Sequence, residues 1–323
     1  MKAICYTEYG PPEVLHRAEI PEPVQRRHEV LVKIQATSVT IGDTIMRSLN
    51  IPVSHWQKIM SRLYLGWNKP KRPILGMELA GTIKSVGDAV TRFKPGDEVF
   101  ASTFAVGFGA YSEYICLPEK GVLALRPRNL TAAEAAVMVG AGMTALSCLK
   151  KAGIRPGQKV LVYGASGAVG TNAIQLAAHH FKADVTGICS TANLDLAKTL
   201  GANKVIDYKS QDITQTGPIH DVVFDAVGKL SPAQGRKLLK AGGVYLNVHT
   251  DSDGGNTLAN LLALKEIIEA GQLRPVIDRV YPIAQIVEAH AYVEQGHKKG
   301  NVIIMVEDSW NGGSVETTQG GMR

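Results

Sequence analysis

The stretch VYGASGAVG, residues Val162–Gly170, connects a strand-like segment, KVLVYG (159–164), to an apolar helical pattern. It carries glycines at three-residue intervals, Gly164, Gly167 and Gly170. In a strand–turn–helix unit such glycines allow a tight turn, a close approach of an anion to the backbone, and close packing of the helix on the strand. The first helical N–H groups then face the anion. The stretch therefore predicts a dinucleotide site; a strand–helix corner that binds nothing is the alternative.

Strand and helix patterns alternate through the middle of the chain. The strand-like segments are KVLVYG (159–164), ADVTGIC (183–189), KVID (204–207), DVVFDAVG (221–228) and GGVYLNVH (242–249), and the helical segments between them cover 168–180, 193–200 and 231–240. Such alternation is typical of an α/β fold with a doubly wound parallel sheet of the Rossmann type. About a dozen residues separate Asn247 from the next helix, predicted over 258–271, which is too few for another crossover and strand. We therefore expect a shortened sheet of five strands.

The first part of the chain has a different pattern. Short strand-like segments such as VLVKIQATSV (30–39) alternate with turns such as KPGDE (94–98), which indicates a β-rich domain. Strand patterns return at 276–283 and 301–306. The predicted division is a β-rich domain over 1–125, a dinucleotide-binding domain over 126–255, and a return to the β-rich domain over 256–323. The polar, glycine-rich tail is expected to be disordered from about residue 308.

Composition and charge narrow the class of protein. The chain has 323 residues, of which 45% are hydrophobic and 20% charged, and no apolar run of about 18 residues that could span a bilayer. Together with the absence of an apolar N-terminal signal core, this predicts a cytoplasmic protein without a membrane partner. Four scattered cysteines, with no CxxC or HExxH pattern, argue against a disulfide framework and a clustered zinc site.

Part of the net charge of +6 is concentrated in one segment, residues 58–72, which contains Lys58, Arg62, Lys69, Lys71 and Arg72. Such a patch can contact nucleic acid or an anionic substrate, or it can be an ordinary solvated face. A solvated face is the simpler explanation. We therefore expect a small-molecule substrate and no nucleic-acid partner.

The end of the second strand indicates which dinucleotide is bound. Sites that prefer NAD usually have Asp or Glu there, and its carboxylate binds the ribose 2′-hydroxyl. This chain has Ser190 and Thr191 at that point and no acidic residue before Asp195. The two hydroxyls either bind the 2′-phosphate of NADP or cap the next helix, and the two roles are compatible. We therefore expect NADPH as the cofactor.

Longer stretches resemble one known family. GMELAGTIKSVG (76–87), FKPGDEVFA (93–101), AGMTAL (141–146), GIRPGQKVLVYGASGAVG (153–170), LGANKVIDY (200–208) and GHKKGNVII (296–304) are similar to the zinc-independent quinone-reductase group of the medium-chain dehydrogenase/reductase superfamily. The resemblance implies a GroES-like β-rich domain interrupted by a Rossmann domain. It places Thr144 beside the nicotinamide and Tyr208 near the 2′-phosphate. The full set of expected cofactor-binding residues is Thr144, Gly164, Ser166, Gly167, Ala168, Val169, Gly170, Ser190, Thr191, Tyr208, Val227 and Val248.

The same resemblance implies a site without metal. Zinc enzymes of the superfamily take ligands at the positions of Thr40 and Met77, although Glu78 remains. Neither a hydroxyl nor a thioether replaces thiolate or imidazole as a zinc ligand. Without a Lewis acid a conjugated acceptor is favoured, because its π system spreads the incoming negative charge. We expect hydride transfer from NADPH to a quinone or an α,β-unsaturated carbonyl, with Thr40, Asp43 and Tyr64 as candidate catalytic residues.

Other interpretations of the same residues are possible from the sequence. A zinc-independent alcohol or aldehyde reductase and a non-catalytic NADPH-binding sensor protein are the alternative functions. Tyr64 is either a proton donor or a core or lid tyrosine, and Lys298 and Lys299 either approach the cofactor or lie exposed. The resemblance implies that relatives dimerise through a sixth Rossmann strand. Because this chain lacks the residues for one, we expect a monomer, or a dimer that does not use the edge strand of the Rossmann sheet.

Overall fold

The computed structural model describes residues 1–51, 60, 62–63, 65–217 and 219–310. Its strands are β1 Lys2–Cys5, β2 His16–Glu19, β3 Glu29–Ser38, β4 Glu78–Val86, β5 Glu98–Ser102, β6 Tyr114–Pro118, β7 Leu123–Leu125, β8 Lys159–Tyr163, β9 Asp184–Cys189, β10 Lys204–Asp207, β11 His220–Asp225, β12 Leu239–Asn247, β13 Ile277–Pro282 and β14 Asn301–Met305. Its α-helices are α1 Ile41–Ser48, α2 Ala132–Ala136, α3 Val139–Lys151, α4 Ala168–Gln175, α5 Leu194–Thr199, α6 Pro232–Lys237, α7 Val248–Asp251, α8 Leu258–Glu269 and α9 Ile286–Glu294. A single π-helical turn, Leu176–His180, follows α4 directly.

The β-rich part of the chain forms a seven-stranded sheet. Its order is β13-β14-β3-β4-β5-β7, with β6 paired to β3, and β1 and β2 form a separate hairpin. The long strand β3 is buried over most of its length and contributes Val30, Val32 and Ile34 to the core of this domain. Because β14 pairs antiparallel with β3, the C-terminal strands complete a sheet that the N-terminal residues begin.

The middle of the chain forms the parallel sheet that the sequence predicts. Its five strands lie in the order β10-β9-β8-β11-β12, and every neighbouring pair is parallel. Val160, Leu161 and Val162 of the central strand β8 are completely buried, which explains their uninterrupted apolar run. No strand among the described residues pairs with the outer edge of β12. The prediction of a shortened Rossmann sheet is therefore confirmed.

The fifth parallel strand ends earlier than its apolar pattern predicts. We expected it to extend to His249, but β12 ends at Asn247 and the next residues form the helical turn α7. The Asn247 side-chain oxygen accepts a hydrogen bond from the His249 N–H at 2.9 Å, and Asp251 accepts one from the Asn247 N–H at 2.8 Å. These local side-chain bonds favour a turn over continued strand.

The helical pattern over 130–153 contains two helices instead of one. α2 begins with the predicted capping box, in which Thr131 and Glu134 each accept a hydrogen bond from the other's backbone N–H. It ends at Ala136, and α3 then begins at Val139. The capping box is confirmed, and the single continuous helix is wrong.

The helix α8 contacts both predicted domains. Leu261, Leu264 and Ile268 belong to a hydrophobic cluster that includes residues of β8, and α8 also contacts β7 of the β-rich sheet. The predicted domain boundary at residue 256 stays a prediction. Trp310 is 6% exposed and packs in the core of the β-rich domain. The disorder expected from about residue 308 therefore does not include Trp310; residues 311–323 lie outside the described part of the chain. In the described ranges, no helix combines the length and the apolar character needed to cross a bilayer.

Candidate active site

The glycine-rich turn has the geometry that its sequence predicts. Gly164 has φ of +81°, a conformation that side chains other than glycine rarely adopt, and its N–H donates to the Ile188 carbonyl at 2.9 Å. A Cβ atom on Gly170 would lie 2.1 Å from the Gly164 carbonyl oxygen. The missing side chain therefore lets α4 start directly against the turn.

The N-terminus of α4 is free to bind an anion. Gly167 is its N-cap residue, in extended conformation, and no side chain caps the helix. The first helical hydrogen bond runs from the Thr171 N–H to the Gly167 carbonyl at 2.9 Å. The N–H groups of Ala168, Val169 and Gly170 consequently have no acceptor within the helix. They carry the partial positive charge that favours a phosphate at this position.

The space next to Gly167 is open. A Cβ atom on Gly167 would meet only the Gly164 carbonyl oxygen, at 3.6 Å. The Ser166 carbonyl is occupied, because it accepts the Gly300 N–H at 2.8 Å, while the Ser166 hydroxyl accepts from the Asn193 amide at 3.0 Å. The open cradle at Gly167 and the uncapped N–H groups behind it match the shape and charge of a pyrophosphate.

The predicted 2′-phosphate residues lie together after β9 and β10. The Ser190 hydroxyl is 3.2 Å from the Asn193 amide nitrogen, and Thr191 donates a short hydrogen bond to the Asp207 carboxylate. Neither hydroxyl caps a helix, so the capping alternative is wrong for both side chains. Tyr208 follows β10 and is half exposed at the same edge of the sheet. Ser190, Thr191 and Tyr208 thus lie near one another at this edge of the sheet.

Asp207 is a residue of this region that the sequence analysis did not identify. The hydrogen bond from Thr191 is the main cause of the lowered pKa of its carboxyl group, so Asp207 is ionised at neutral pH. It also accepts the Lys209 N–H at 2.9 Å. The available signal was its place at the end of the third strand, in VIDY, next to the second strand's end. An ionised carboxylate therefore lies behind Thr191 and orients its hydroxyl.

Two of the remaining predicted cofactor residues follow strands of the parallel sheet, and the third lies on α3. Val227, after β11, packs over the turn, because a Cβ atom on Gly164 would lie 2.6 Å from its Cγ1. Val248, after β12, is half-buried at the start of α7. Thr144 is half-buried on α3, one helical turn beyond Gly140. The carboxyl ends of the strands thus bring together side chains that are far apart in the sequence.

Thr40 and Asp43 form a capping box at the start of α1. Asp43 accepts from the Thr40 N–H at 2.9 Å and from the Thr40 hydroxyl at 2.6 Å, and its second oxygen accepts from the Gly76 N–H at 3.0 Å. The carboxyl group is completely buried, and burial raises its pKa to about 6. Asp43 therefore fixes the Thr40 side chain and has no exposed surface of its own. Tyr64, the third candidate, lies outside the described residues.

Glu78 is a buried acid between the two domains. It lies on β4, accepts a short hydrogen bond from the Ser38 hydroxyl, and accepts the Gly140 N–H at the start of α3 at 2.5 Å. Burial raises the pKa of its carboxyl group to about 7, although both hydrogen bonds lower it. Glu78 thereby links the β-rich sheet to the helix that carries Thr144.

The donor atoms around Glu78 do not suit zinc. The Thr40 hydroxyl is 3.7 Å from the Met77 sulfur, so the positions that hold zinc ligands in the resembling enzymes contain a hydroxyl and a thioether. Across the described residues there is no group of three or more His, Cys, Asp or Glu side chains placed to hold a metal ion. A single carboxylate with these neighbours is a poor match for the nitrogen and sulfur ligands that zinc prefers.

Lys298 lies beside the glycine-rich turn, whereas its neighbour Lys299 has an exposed side chain. The Lys298 amine donates to the Gly300 carbonyl at 2.5 Å. Burial lowers the pKa of this amine to about 8, while Glu78 and Asp278 act in the opposite direction. The sequence left the two lysines equivalent; the structure separates them.

Two members of the basic segment, Arg62 and Lys71, bind nearby backbone. The Arg62 guanidinium donates to the Trp67 carbonyl at 3.0 Å, and the Lys71 amine donates to the Leu63 carbonyl at 2.7 Å. Lys58 lies outside the described residues. These contacts organise the segment itself and fit the solvated-face explanation.

Comparison with known protein families supports the two-part organisation. The family model described as the alcohol dehydrogenase GroES-like domain matches residues 26–127. Two models described as zinc-binding dehydrogenase match residues 168–275 and 253–304. The GroES-like identity predicted for the β-rich domain is confirmed.

Named relatives cover nearly the whole chain. A 2-methylene-furan-3-one reductase from Solanum lycopersicum is 34% identical, and the match covers 94% of this chain and 79% of that protein. An NADPH-dependent alkenal/one oxidoreductase from Arabidopsis thaliana, which is chloroplastic, is 32% identical with the same coverage. The match to the Solanum lycopersicum protein spans 321 aligned positions, whereas 94% of the 323 residues of this chain is about 304. Within the matched region, that relative therefore has residues that this chain lacks.

Solved structures with the same fold support the family assignment. The quinone oxidoreductase from Coxiella burnetii has a TM-score of 0.82 at 27% identity, covering 95% of this chain and 99% of that one. A mycobacterial protein solved in complex with NADPH has a TM-score of 0.75 at 25% identity, and the match covers 95% of this chain and 100% of that chain. From its sequence relatives, its domain matches and its fold, the chain belongs to the medium-chain dehydrogenase/reductase superfamily of oxidoreductase enzymes.

Proposed function

We propose that this protein is an NADPH-dependent reductase that transfers hydride to a quinone or an α,β-unsaturated carbonyl without a metal ion. The observation that carries the cofactor assignment is the uncapped N-terminus of α4 at Gly167, which opens onto unfilled space. The relatives named as an alkenal/one oxidoreductase and a quinone oxidoreductase support the acceptor class. The zinc ligand positions, occupied by Thr40 and Met77, support chemistry without a Lewis acid.

NADPH, when bound, supplies the hydride. The chain's own residues do the rest of the work by binding, orienting and excluding water. The glycine-rich turn would hold the pyrophosphate on the free N–H groups of α4. Ser190 and Tyr208 would donate to the 2′-phosphate, while Thr191, whose one O–H is donated to Asp207, would line the same site. Thr144 on α3 would contact the nicotinamide and so help to orient it toward the acceptor.

On the acceptor side, the Thr40 hydroxyl is the polar group that we place next to the substrate. Asp43 is completely buried and binds Thr40 through both its N–H and its hydroxyl, so we assign it a positioning role. A conjugated acceptor suits this site, because delocalisation of the added charge replaces part of the stabilisation that a metal ion supplies elsewhere.

A panel of acceptors tests the reaction class. NADPH oxidation, followed by absorbance, should occur with a short enone or a small quinone and be at least about 100-fold slower with the saturated ketone of the same skeleton, because only the conjugated compounds delocalise the charge. Equal turnover of the saturated ketone would instead identify an alcohol or aldehyde reductase. Tight NADPH binding without consumption by any acceptor would identify a binding protein.

We also propose that the protein is a monomer, or a dimer formed away from β12. β12 is the edge strand of the parallel sheet, and α7 follows it in the chain. No sixth parallel strand is present among the described residues. The relatives' extra residues are consistent with a segment missing here. A dimer whose sheet is continuous through β12 would contradict this. The cytoplasmic location expected from the composition stays a prediction.

A further inference from the structure

Lys298 lies between the nucleotide turn and the acid on the opposite domain. Its amine donates to the Gly300 carbonyl at 2.5 Å, and Gly300 in turn forms a β-bridge with Gly167. On the other side, its charge interacts with that of Glu78. Among the described residues no ion pair within 4.0 Å joins these two groups, so the amine and the carboxylate are not in direct contact.

A protonated lysine amine has three N–H donors. Within the described residues, the Gly300 carbonyl is the only acceptor of a hydrogen bond from the Lys298 amine. The pyrophosphate already has the N–H groups of α4 as donors, so it does not need the amine. Met77 precedes Glu78 in the sequence, and its sulfur is 3.7 Å from the Thr40 hydroxyl on the acceptor side. The remaining donors of Lys298 are therefore available to an oxygen atom of a bound molecule.

Building on the proposed reductase function, we propose that Lys298 binds the carbonyl oxygen of the acceptor and gives it the proton that completes the reduction. Addition of hydride to the conjugated acceptor leaves a negative charge on that oxygen. One N–H bond of the ammonium then breaks, its electron pair stays on nitrogen, and an O–H bond forms. The neutral amine regains a proton from water, so the balance is one hydride and one proton added to the acceptor.

The charged groups around the amine fix how its activity depends on pH. Glu78 on β4 and Asp278 on β13 face it, and both raise its pKa, whereas burial lowers it to about 8. A general acid must be protonated, so kcat/KM should be constant below this pH and fall above it. Removing the negative charge of Glu78 should lower the pKa of Lys298 and move the fall to lower pH.

The test compares Lys298→Met, Lys298→Arg and the control Lys299→Met. Lys298→Met should lower kcat roughly 100-fold, the usual effect of losing a general acid, while the Kd for NADPH, measured by fluorescence titration, changes less than about twofold. Lys298→Arg keeps the hydrogen bond and part of the rate, and it should remove the alkaline fall, because guanidinium stays protonated. Lys299→Met should match the unchanged protein, since its contact with Asp278 uses the backbone N–H.

Several outcomes would overturn this role. A Lys298→Met protein that binds NADPH tenfold or more weakly at nearly unchanged kcat would assign the amine to the cofactor. An alkaline fall that persists in Lys298→Arg, or that does not move in Glu78→Gln, would assign the titration to another group. If Lys298→Met does not fold, the pH profile of Lys298→Arg decides. Failure of the unchanged protein to reduce any acceptor would instead refute the proposed function and the acid role together.

Discussion

Replacing Gly167 with valine should abolish NADPH binding and leave the protein folded. The backbone at Gly167 is extended, and a Cβ atom there meets only the Gly164 carbonyl oxygen at 3.6 Å, so the fold accommodates the new side chain. The branched side chain would instead occupy the space in front of the free N–H groups of α4, where we propose that the pyrophosphate binds. We expect an increase in Kd of at least about 100-fold, since the whole phosphate contact is lost.

Fluorescence titration with NADPH and thermal unfolding test this expectation together. The contrasting variant Gly170→Ala should show the opposite behaviour, because its Cβ atom would lie 2.1 Å from the Gly164 carbonyl oxygen and must displace backbone. That protein should melt at a clearly lower temperature, whereas Gly167→Val should melt close to the unchanged protein. Undiminished NADPH binding by folded Gly167→Val would show that the cofactor does not use this turn.

Replacing Ser190 with aspartate should reverse the cofactor preference. The new carboxylate would lie at the end of β9, where it accepts a hydrogen bond from the ribose 2′-hydroxyl of NADH and repels a 2′-phosphate. Asp207 is already ionised behind Thr191, so the second negative charge adds to an existing one. We expect the ratio of the two Kd values to change on the order of 100-fold in favour of NADH.

The neutral variant Ser190→Asn is the matched control for this change. It has nearly the size of aspartate without the charge, so it should keep most of the preference for NADPH. Parallel titrations with NADPH and NADH on all three proteins measure the ratio. If the aspartate variant and the asparagine variant bind NADPH equally well, the 2′-phosphate does not lie at the end of β9.

The parallel sheet and its glycine-rich turn could be predicted because their causes are local. The spacing of apolar residues within each segment distinguishes strands from helices, and the turn itself needs glycine at positions 164 and 170. The capping box at Thr131 was recognisable for the same reason. The end of the fifth strand could not be predicted. The apolar pattern continues past Asn247, but the Asn247 side chain accepts a hydrogen bond from the His249 N–H, and this bond favours a turn.

The electrostatic part of the site could not be predicted from the sequence. The pKa values of Asp43 and Glu78 are raised by burial, which depends on how α1, β4 and α3 pack together. Lys298 and Lys299 have the same chemistry in the sequence, and only the fold shows that the Lys298 amine bonds to the Gly300 carbonyl while the Lys299 side chain is exposed. Such pKa shifts depend on tertiary contacts between residues that are far apart in the sequence.

The central claim is that the protein reduces conjugated carbonyls with NADPH and without a metal. The most direct test is the initial rate of enone or quinone reduction by protein dialysed against a strong chelator, compared with untreated protein and with protein given zinc afterwards. Thr40 and Met77 are poor zinc ligands, so the three rates should agree within error, and elemental analysis should find no stoichiometric metal. A rate that chelation abolishes and zinc restores would contradict the account.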